Sequence, residues 1–207
     1  MGEDRLGAYR EHGHIVVPGL WSAAQVDVAL SHLDSLPPAP RGVLAVDPDH
    51  DPVAAALAAD RALVALASEL LEGPVAAFGV TYLVRPPRSE LRASWHQDGE
   101  PWARVGVLDA LTVWLALDPA TRESGGLRVV PGSHRAPPRP LVRDESPDEV
   151  FGWVSAPGLV EDSDARDVEL DPGDASVHHP ALFHSSGPNR TDRRRAALGV
   201  RYRLDEP

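Results

Sequence analysis

A histidine and an aspartate two positions apart, His96 and Asp98, lie in the stretch SWHQDGEPW at 94–102. If 95–98 is extended, alternate side chains share a face, so the two groups offer one nitrogen and one oxygen to a common point. A second stretch, DPGDASVHHPALFHSSGPN at 171–189, carries three further imidazoles: His178, His179 and His184. Two histidines and one carboxylate on one face of a metal leave the other positions open, the ligand pattern of non-haem Fe(II) oxygenases. Spacing alone leaves any of the three later histidines able to complete it. The competing reading of a His-x-Asp triplet is ordinary surface polarity, and the rest of the chain decides between the two.

Composition removes several other chemistries. The 207 residues suffice for one domain with a full core and are short for two. A formal charge of −11 and a pI near 5.2 disfavour nucleic acid, whose binding rests on neutralising phosphates. The absence of Cys excludes disulfides, thiolate metal sites and cysteine nucleophiles. All 20 basic residues are Arg, so Schiff-base chemistry on lysine is impossible. Arg in place of Lys, with Ile15 and Asn189 each the sole residue of its type, is the usage of a GC-rich bacterial genome. The opening MGEDRLGAYREHGH has no apolar segment of a secretory leader, and no run is long enough to span a bilayer. The expected location is the cytoplasm, with no membrane partner.

These groups must be positioned by elements that the pattern also predicts. Residues 3–12 read as a short helix stopped by Gly13, and HIVVPG at 14–19 as a strand. Ser22 and Gln25 form a capping-box pattern for a helix reaching Leu36, with Val26, Leu30 and Leu33 on one apolar face. Asp51 and Asp60 stand where they can cap two Ala- and Leu-rich helices that end before Gly73. From Val75 onward VAAFGVTYLVRPP, ALTVWLAL, GLRVVPG, RDVELDPGDASVHH and RRAALGVRYRL are strand-like runs divided by Gly and Pro. Helices first and strands afterwards predict an α+β fold with helices on one side of an antiparallel sheet, compatible with a jelly roll. Residues 135–167 are Pro-rich and charged, with Phe151, Trp153 and Leu159 as apolar anchors. Such a long irregular segment reads as a lid. The expectation is a single domain over 1–207 with a lid insertion at about 135–167.

WHQDG, TVWLALDPATRESGGLRVVPGSH and PGDASVHHPALFHSSGPNRTDRRRAALGVRY together resemble the phytanoyl-CoA dioxygenase-like Fe(II)/2-oxoglutarate oxygenases. YREHGHIVVPGLWSAAQVDVA is similar to that family's opening helix and strand, so the resemblance runs from about 6 to 202, with the motifs in order. It implies a double-stranded β-helix (cupin-like jelly roll), Fe(II) as cofactor, and 2-oxoglutarate and O2 as cosubstrates. His96 and Asp98 match the first two iron ligands and His184 the third. His179 matches a His-Pro position that is not a ligand, and His178 stands where relatives often have an aromatic. Arg195, eleven residues after His184, matches the arginine that receives the far carboxylate of 2-oxoglutarate. Thr81 and Trp114 match positions lining the cosubstrate pocket. Arg85 stands where relatives often carry Lys, with no role assigned. A planar, permanently charged guanidinium suits a carboxylate. Strand alternation sends Arg194 to the other face, whereas Arg193 shares the face of Arg195 but lies nearer the turn.

The implied activity is hydroxylation of an unactivated C–H bond of a small molecule. The same oxidant can also desaturate, cyclise or epimerise. Halogenation is disfavoured because Asp98 fills the position a halide needs. A jelly-roll protein that holds a metal without turnover, or a cupin-like enzyme using the metal as a Lewis acid, would not need Arg195. The fold does not choose the substrate; a tailoring role in bacterial secondary metabolism follows by association. The acidic excess of 135–167 favours a cationic or neutral polar substrate over an anionic CoA thioester. His12, His14, His32 and His50 read as solvated or structural, and His134 as closing a turn. Trp95 reads as core or pocket wall, and Glu100 and Trp102 as within reach of substrate.

Overall fold

Short polar side chains open the helices, each satisfying backbone N–H groups that have no partner in the first turn. Asp4 accepts from Gly7 ahead of α1 (Arg5–His12), which Gly13 ends in the left-handed conformation at φ 69°. Gln25 Oε1 accepts from the Ser22 backbone N–H at 3.0 Å and its hydroxyl at 2.8 Å, fixing the start of α2 (Ala23–Ser35). Asp51 and Asp60 each accept from two backbone N–H groups at the starts of α3 (Pro52–Ala58) and α4 (Arg61–Leu71). Caps of this kind are worth about 1 kcal/mol each. Asp60 also receives Trp21 Nε1 and Gln25 Nε2, so it joins α2 to α4. The computed structural model describes residues 4–99, 102 and 109–205.

The strands are β1 (His14–Val17), β2 (Val43–Val46), β3 (Val75–Arg85), β4 (Ala93–His96), β5 (Ala110–Ala116) and β6 (Leu127–Val129), followed by β7 (Leu141–Arg143), β8 (Trp153–Ser155), β9 (Arg166–Val168), β10 (Ala175–His178), β11 (His184–Ser186) and β12 (Arg195–Leu204). They form a six-stranded sheet in the order β1-β10-β5-β12-β3-β2, a four-stranded sheet β4-β11-β6-β9, and the small hairpin β7-β8. All these pairings are antiparallel. The fold is an α+β jelly roll with the N-terminal helices packed on one sheet.

Period-two alternation divides the six-stranded sheet between two cores. Val113 and Leu115 of β5 and Ala196, Leu198 and Val200 of β12 face the helices, packing with Leu63, Leu66 and Leu70 of α4. Trp114, Ala116 and Ala197 face the four-stranded sheet instead, against Leu127, Val129 and Val168. The second face is where the polar side chains gather, so this alternation selects which residues can meet a ligand. Among the described residues, no helix is long and apolar enough to cross a membrane.

Three features depart from the sequence expectation. The edge strand β2 lies in the mostly helical first third, where only 14–19 reads as a strand, and is held by its pairing with β3. The segment 135–167 contains the β7-β8 hairpin rather than irregular chain alone. The strand carrying His96 stops there, and Asp98 lies in a turn. That turn is tied down by Gly99 N–H donating to Pro180 O at 2.8 Å and by Gln97, which bonds Ala181 O and the Arg139 N–H.

Candidate metal centre

His96 ends β4 and His184 begins β11, and the two are direct register partners in the four-stranded sheet. Their rings lie 4.1 Å apart between centroids. The turn after β4 brings Asp98 back over them, with its Oδ1 3.9 Å from Nε2 of His96 and 3.9 Å from Nε2 of His184. The three ligand atoms all fall within 4.8 Å of one another. Convergence is thus achieved by a turn, not by the extended run of 95–98 that the spacing suggested.

Each imidazole is oriented from behind. His96 Nδ1 lies 2.7 Å from Ser94 O, and His184 Nδ1 lies 3.0 Å from Leu182 O. A carbonyl only accepts, so both Nδ1 atoms carry the proton and both Nε2 lone pairs point at the common site. Burial, reinforced by the neighbouring imidazoles, lowers both histidines to about 4, so both are neutral and ready to ligate at pH 7. Burial alone would raise the Asp98 carboxyl, but His178, His184 and Arg201 hold it well below the usual carboxylate range. Two neutral imidazoles and a carboxylate on one face form a donor set that fits Fe(II).

Thr112 Oγ donates to Asp98 Oδ2 at 3.1 Å, which leaves Oδ1 for the metal. Partners behind metal ligands are typically worth 10–100-fold in affinity. Thr112→Val should therefore weaken iron binding by roughly 10-fold; an anaerobic Fe(II) titration giving an unchanged Kd would show that Asp98 needs no such support.

One cavity is lined by the three metal-site residues together with Thr112, Trp114, Phe151, His178, Arg195 and Arg201. Arg195 is 1% exposed and lies over the Trp114 ring at 5.5 Å. It donates to Leu83 O and Gly125 O, while its buried Nε has no partner among the described residues. Burial first, then Arg85, drives the Arg195 guanidinium pKa well below its usual range. An orphaned N–H and an undercompensated cation are what an incoming carboxylate would satisfy, so the site fits 2-oxoglutarate. Arg194 turns outward to Asp118 and Asp34, and Arg193 is exposed. Arg85 is fully buried and donates to Ser186 Oγ at 2.9 Å, behind the cavity wall.

Thr81 requires correction. It is not among the residues lining the cavity; it is buried, and its hydroxyl accepts from Arg201 Nη1 at 2.8 Å. Trp114 does line the cavity. His178 packs on His184 at 4.4 Å with its Nε2 3.7 Å from Asp98 Oδ2, too long for a hydrogen bond. His179 faces His134 and Tyr9 instead, and its Nδ1 accepts from the Ala181 N–H. His32 bridges Tyr82 and Asp51 as a structural residue, and Trp95 lies under Arg128 rather than in the cavity. Glu100 lies outside the described residues.

The acidic residues of 135–167 are not turned to the cavity. Asp162 and Asp167 pair with Arg128, Asp148 with Arg92, and Glu145 with Arg143. Glu149 is fully buried and accepts from the backbone N–H groups of Ser94 and Phe151. It thereby fastens this segment to the strand bearing His96 and sets Phe151 against the His96 ring at 5.2 Å. Among the described residues the charged groups that line the cavity are Asp98, Arg195 and Arg201, and none comes from the acidic segment. Sequence reasoning missed Gln97, Thr112, Glu149 and Arg201 as site residues. Only Arg201 had a usable signal, two-residue alternation onward from Arg195.

The model of the phytanoyl-CoA dioxygenase (PhyH) family matches residues 9–197. L-proline trans-4-hydroxylase of Streptomyces griseoviridis is 31% identical over 176 residues, 74% of this chain and 64% of that enzyme, so less than two thirds of its length is spanned. The fold of EvdO2 from Micromonospora carbonacea var. aurantiaca, solved with 2-oxoglutarate, superposes with a TM-score of 0.79 at 24% identity, over 100% of this chain and 94% of that one. The epimerase SnoN, solved with Fe3+, alpha-ketoglutarate and nogalamycin RO, gives 0.77 at 26% identity over 96% of this chain and 82% of its own. With a family match over most of its length and the ligand set assembled at one cavity, this chain belongs to the phytanoyl-CoA dioxygenase family.

Proposed function

We propose that the protein is a non-haem Fe(II)- and 2-oxoglutarate-dependent dioxygenase that hydroxylates an unactivated C–H bond of a small molecule. The observation that carries this reading is the convergence of His96, Asp98, His184 and Arg195 on one cavity. A metal-storage protein or a Lewis-acid enzyme has no use for a buried guanidinium with an unpartnered N–H beside the metal ligands. Bound iron supplies activation of O2, coupled to oxidative decarboxylation of 2-oxoglutarate to succinate and CO2 and to oxidation of the substrate. His96, Asp98 and His184 hold the metal and leave its other positions open. Arg195, over Trp114, receives the far carboxylate of 2-oxoglutarate. Phe151 shields the His96 side of the cavity from water, and residues 135–167, fastened at Glu149, serve as the cover of a single domain over 1–207.

Hydroxylation, rather than desaturation, cyclisation or epimerisation, is favoured by the 31% identity to a proline hydroxylase. A tailoring role in secondary metabolism is supported by the likeness to SnoN from nogalamycin biosynthesis. A cytoplasmic setting goes with this reading, because reduced iron and 2-oxoglutarate are available there. The test is succinate release from 2-oxoglutarate with Fe(II) and ascorbate, with L-proline as the first added substrate. Succinate formation should require both iron and 2-oxoglutarate and should rise when a true substrate is present. No succinate above the metal-free control, in protein shown to have bound iron, would overturn the proposal.

A further inference from the structure

Among the described residues two guanidinium groups, Arg195 and Arg201, line the metal cavity, and the proposed cosubstrate accounts for one. Arg195 and Arg201 lie on the same face of β12, with Ala197 and Gly199 between them, so no bulky side chain separates them. Six residues of strand put their Cα atoms about 20 Å apart. The register places them at different levels along β5. Gly199 pairs with Trp114, the ring beneath Arg195, whereas Arg201 pairs with Thr112, whose hydroxyl holds Asp98. Arg201 is also built into place. Its Nη1 donates to Thr81 at 2.8 Å, its guanidinium lies over Trp102 at 5.9 Å, and Gly79 leaves the room, since a Cβ there would come within 3.3 Å of Nη1. Among the described residues its hydrogen bond goes to a neutral hydroxyl and to no carboxylate.

We infer that Arg201 is a specificity-determining residue that binds a carboxylate of the substrate, on the Asp98 side of the metal and apart from the 2-oxoglutarate site. The inference rests on the functional reading above and adds the charge class of the substrate. A guanidinium fork gives a carboxylate two parallel hydrogen bonds and fixes its orientation. Fixing one end of a small molecule positions its C–H bonds relative to the metal, which is what regioselectivity requires. A single guanidinium matches the one negative charge of a carboxylate better than the two of a phosphate dianion. The stem of Arg201 is packed against Gly79 and the hydroxyl of Thr81 is committed to it, so the subsite is rigid before anything binds.

The experiment is calorimetry under anaerobic conditions on protein loaded with Fe(II). 2-Oxoglutarate is titrated first, and matched probes follow: benzoate and benzamide, L-proline and L-prolinamide, and methyl phosphate. Carboxylates should bind the 2-oxoglutarate complex at least 10-fold more tightly than their amides and more tightly than methyl phosphate. Arg201→Gln should abolish that preference, and Arg201→Lys should keep part of it by retaining the charge without the fork. Melting temperatures check that the variants fold; if Arg201→Gln does not, the wild-type preference and its reduction in Arg201→Lys decide. Equal binding of acids and amides, absence of binding by every carboxylate, or a preference undiminished in the variants would overturn the proposal while 2-oxoglutarate still binds. Failure of 2-oxoglutarate itself to bind would instead overturn the functional reading, and this one with it.

Discussion

Replacing His184 with alanine is expected to remove iron binding and all iron-dependent turnover, while His179→Ala keeps both. His184 presents Nε2 to Asp98 Oδ1 at 3.9 Å, with its other nitrogen tied to a backbone carbonyl. A three-residue site that loses one ligand should lose more than the roughly 100-fold that marks the upper range for a change behind a ligand. His179 carries its ring away from the centre toward His134 and Tyr9, and its Nδ1 is occupied by the Ala181 N–H. His178 tests the boundary between the two. It touches His184 but sits 3.7 Å from the non-ligating oxygen of Asp98, so His178→Ala should retain iron with reduced affinity. Metal content after anaerobic loading and an Fe(II) titration read all three. Retention of iron by His184→Ala with loss in His179→Ala would reassign the third ligand.

The contrast between those histidines shows where the sequence was informative. Local signals carried well: Asp51 and Asp60 cap α3 and α4, and Gly13 ends α1. Period-two alternation separated Arg194, just ahead of β12 and bonded to Asp118, from Arg195 in the interior. What did not carry was anything settled by a partner distant in sequence. The strand at His96 stops because Gly99 and Gln97 are held by the 180–181 backbone, over eighty residues later. Glu149 looks like one more solvated acid in an acidic loop. Its burial depends on backbone N–H groups of Ser94 and Phe151, which no residue type announces. β2 exists because β3 offers it an edge, and VLAV has no periodicity of its own to declare that. Thr81 illustrates the limit of a matched position. The residue is where the family pattern puts it, yet in this chain its hydroxyl is committed to Arg201, the residue that lines the cavity.

Arg195→Lys is expected to raise the 2-oxoglutarate requirement by roughly 10- to 100-fold, the equivalent of one charge-assisted hydrogen-bonded contact of about 1.5–3 kcal/mol. Charge is retained, so any long-range attraction of the dianion survives. The loss is geometric, because an ammonium cannot donate to Leu83 O and Gly125 O while also presenting a planar fork to a carboxylate. The lysine also loses the flat cation that lies over Trp114. Iron affinity should change far less, because Arg195 touches none of the three metal-site side chains and the Nδ1 contacts that orient both histidines are untouched. The decisive comparison is Arg193→Lys, at an exposed position in the turn before β12, which should leave both quantities as they are. Anaerobic titration of 2-oxoglutarate into Fe(II)-loaded protein separates the two affinities. If Arg193→Lys is the impaired variant, or if Arg195→Lys binds 2-oxoglutarate as the wild type does, the cosubstrate carboxylate is held elsewhere. Arg201, the other guanidinium lining the same cavity, would then be the residue to test, and its assignment to substrate would have to be withdrawn.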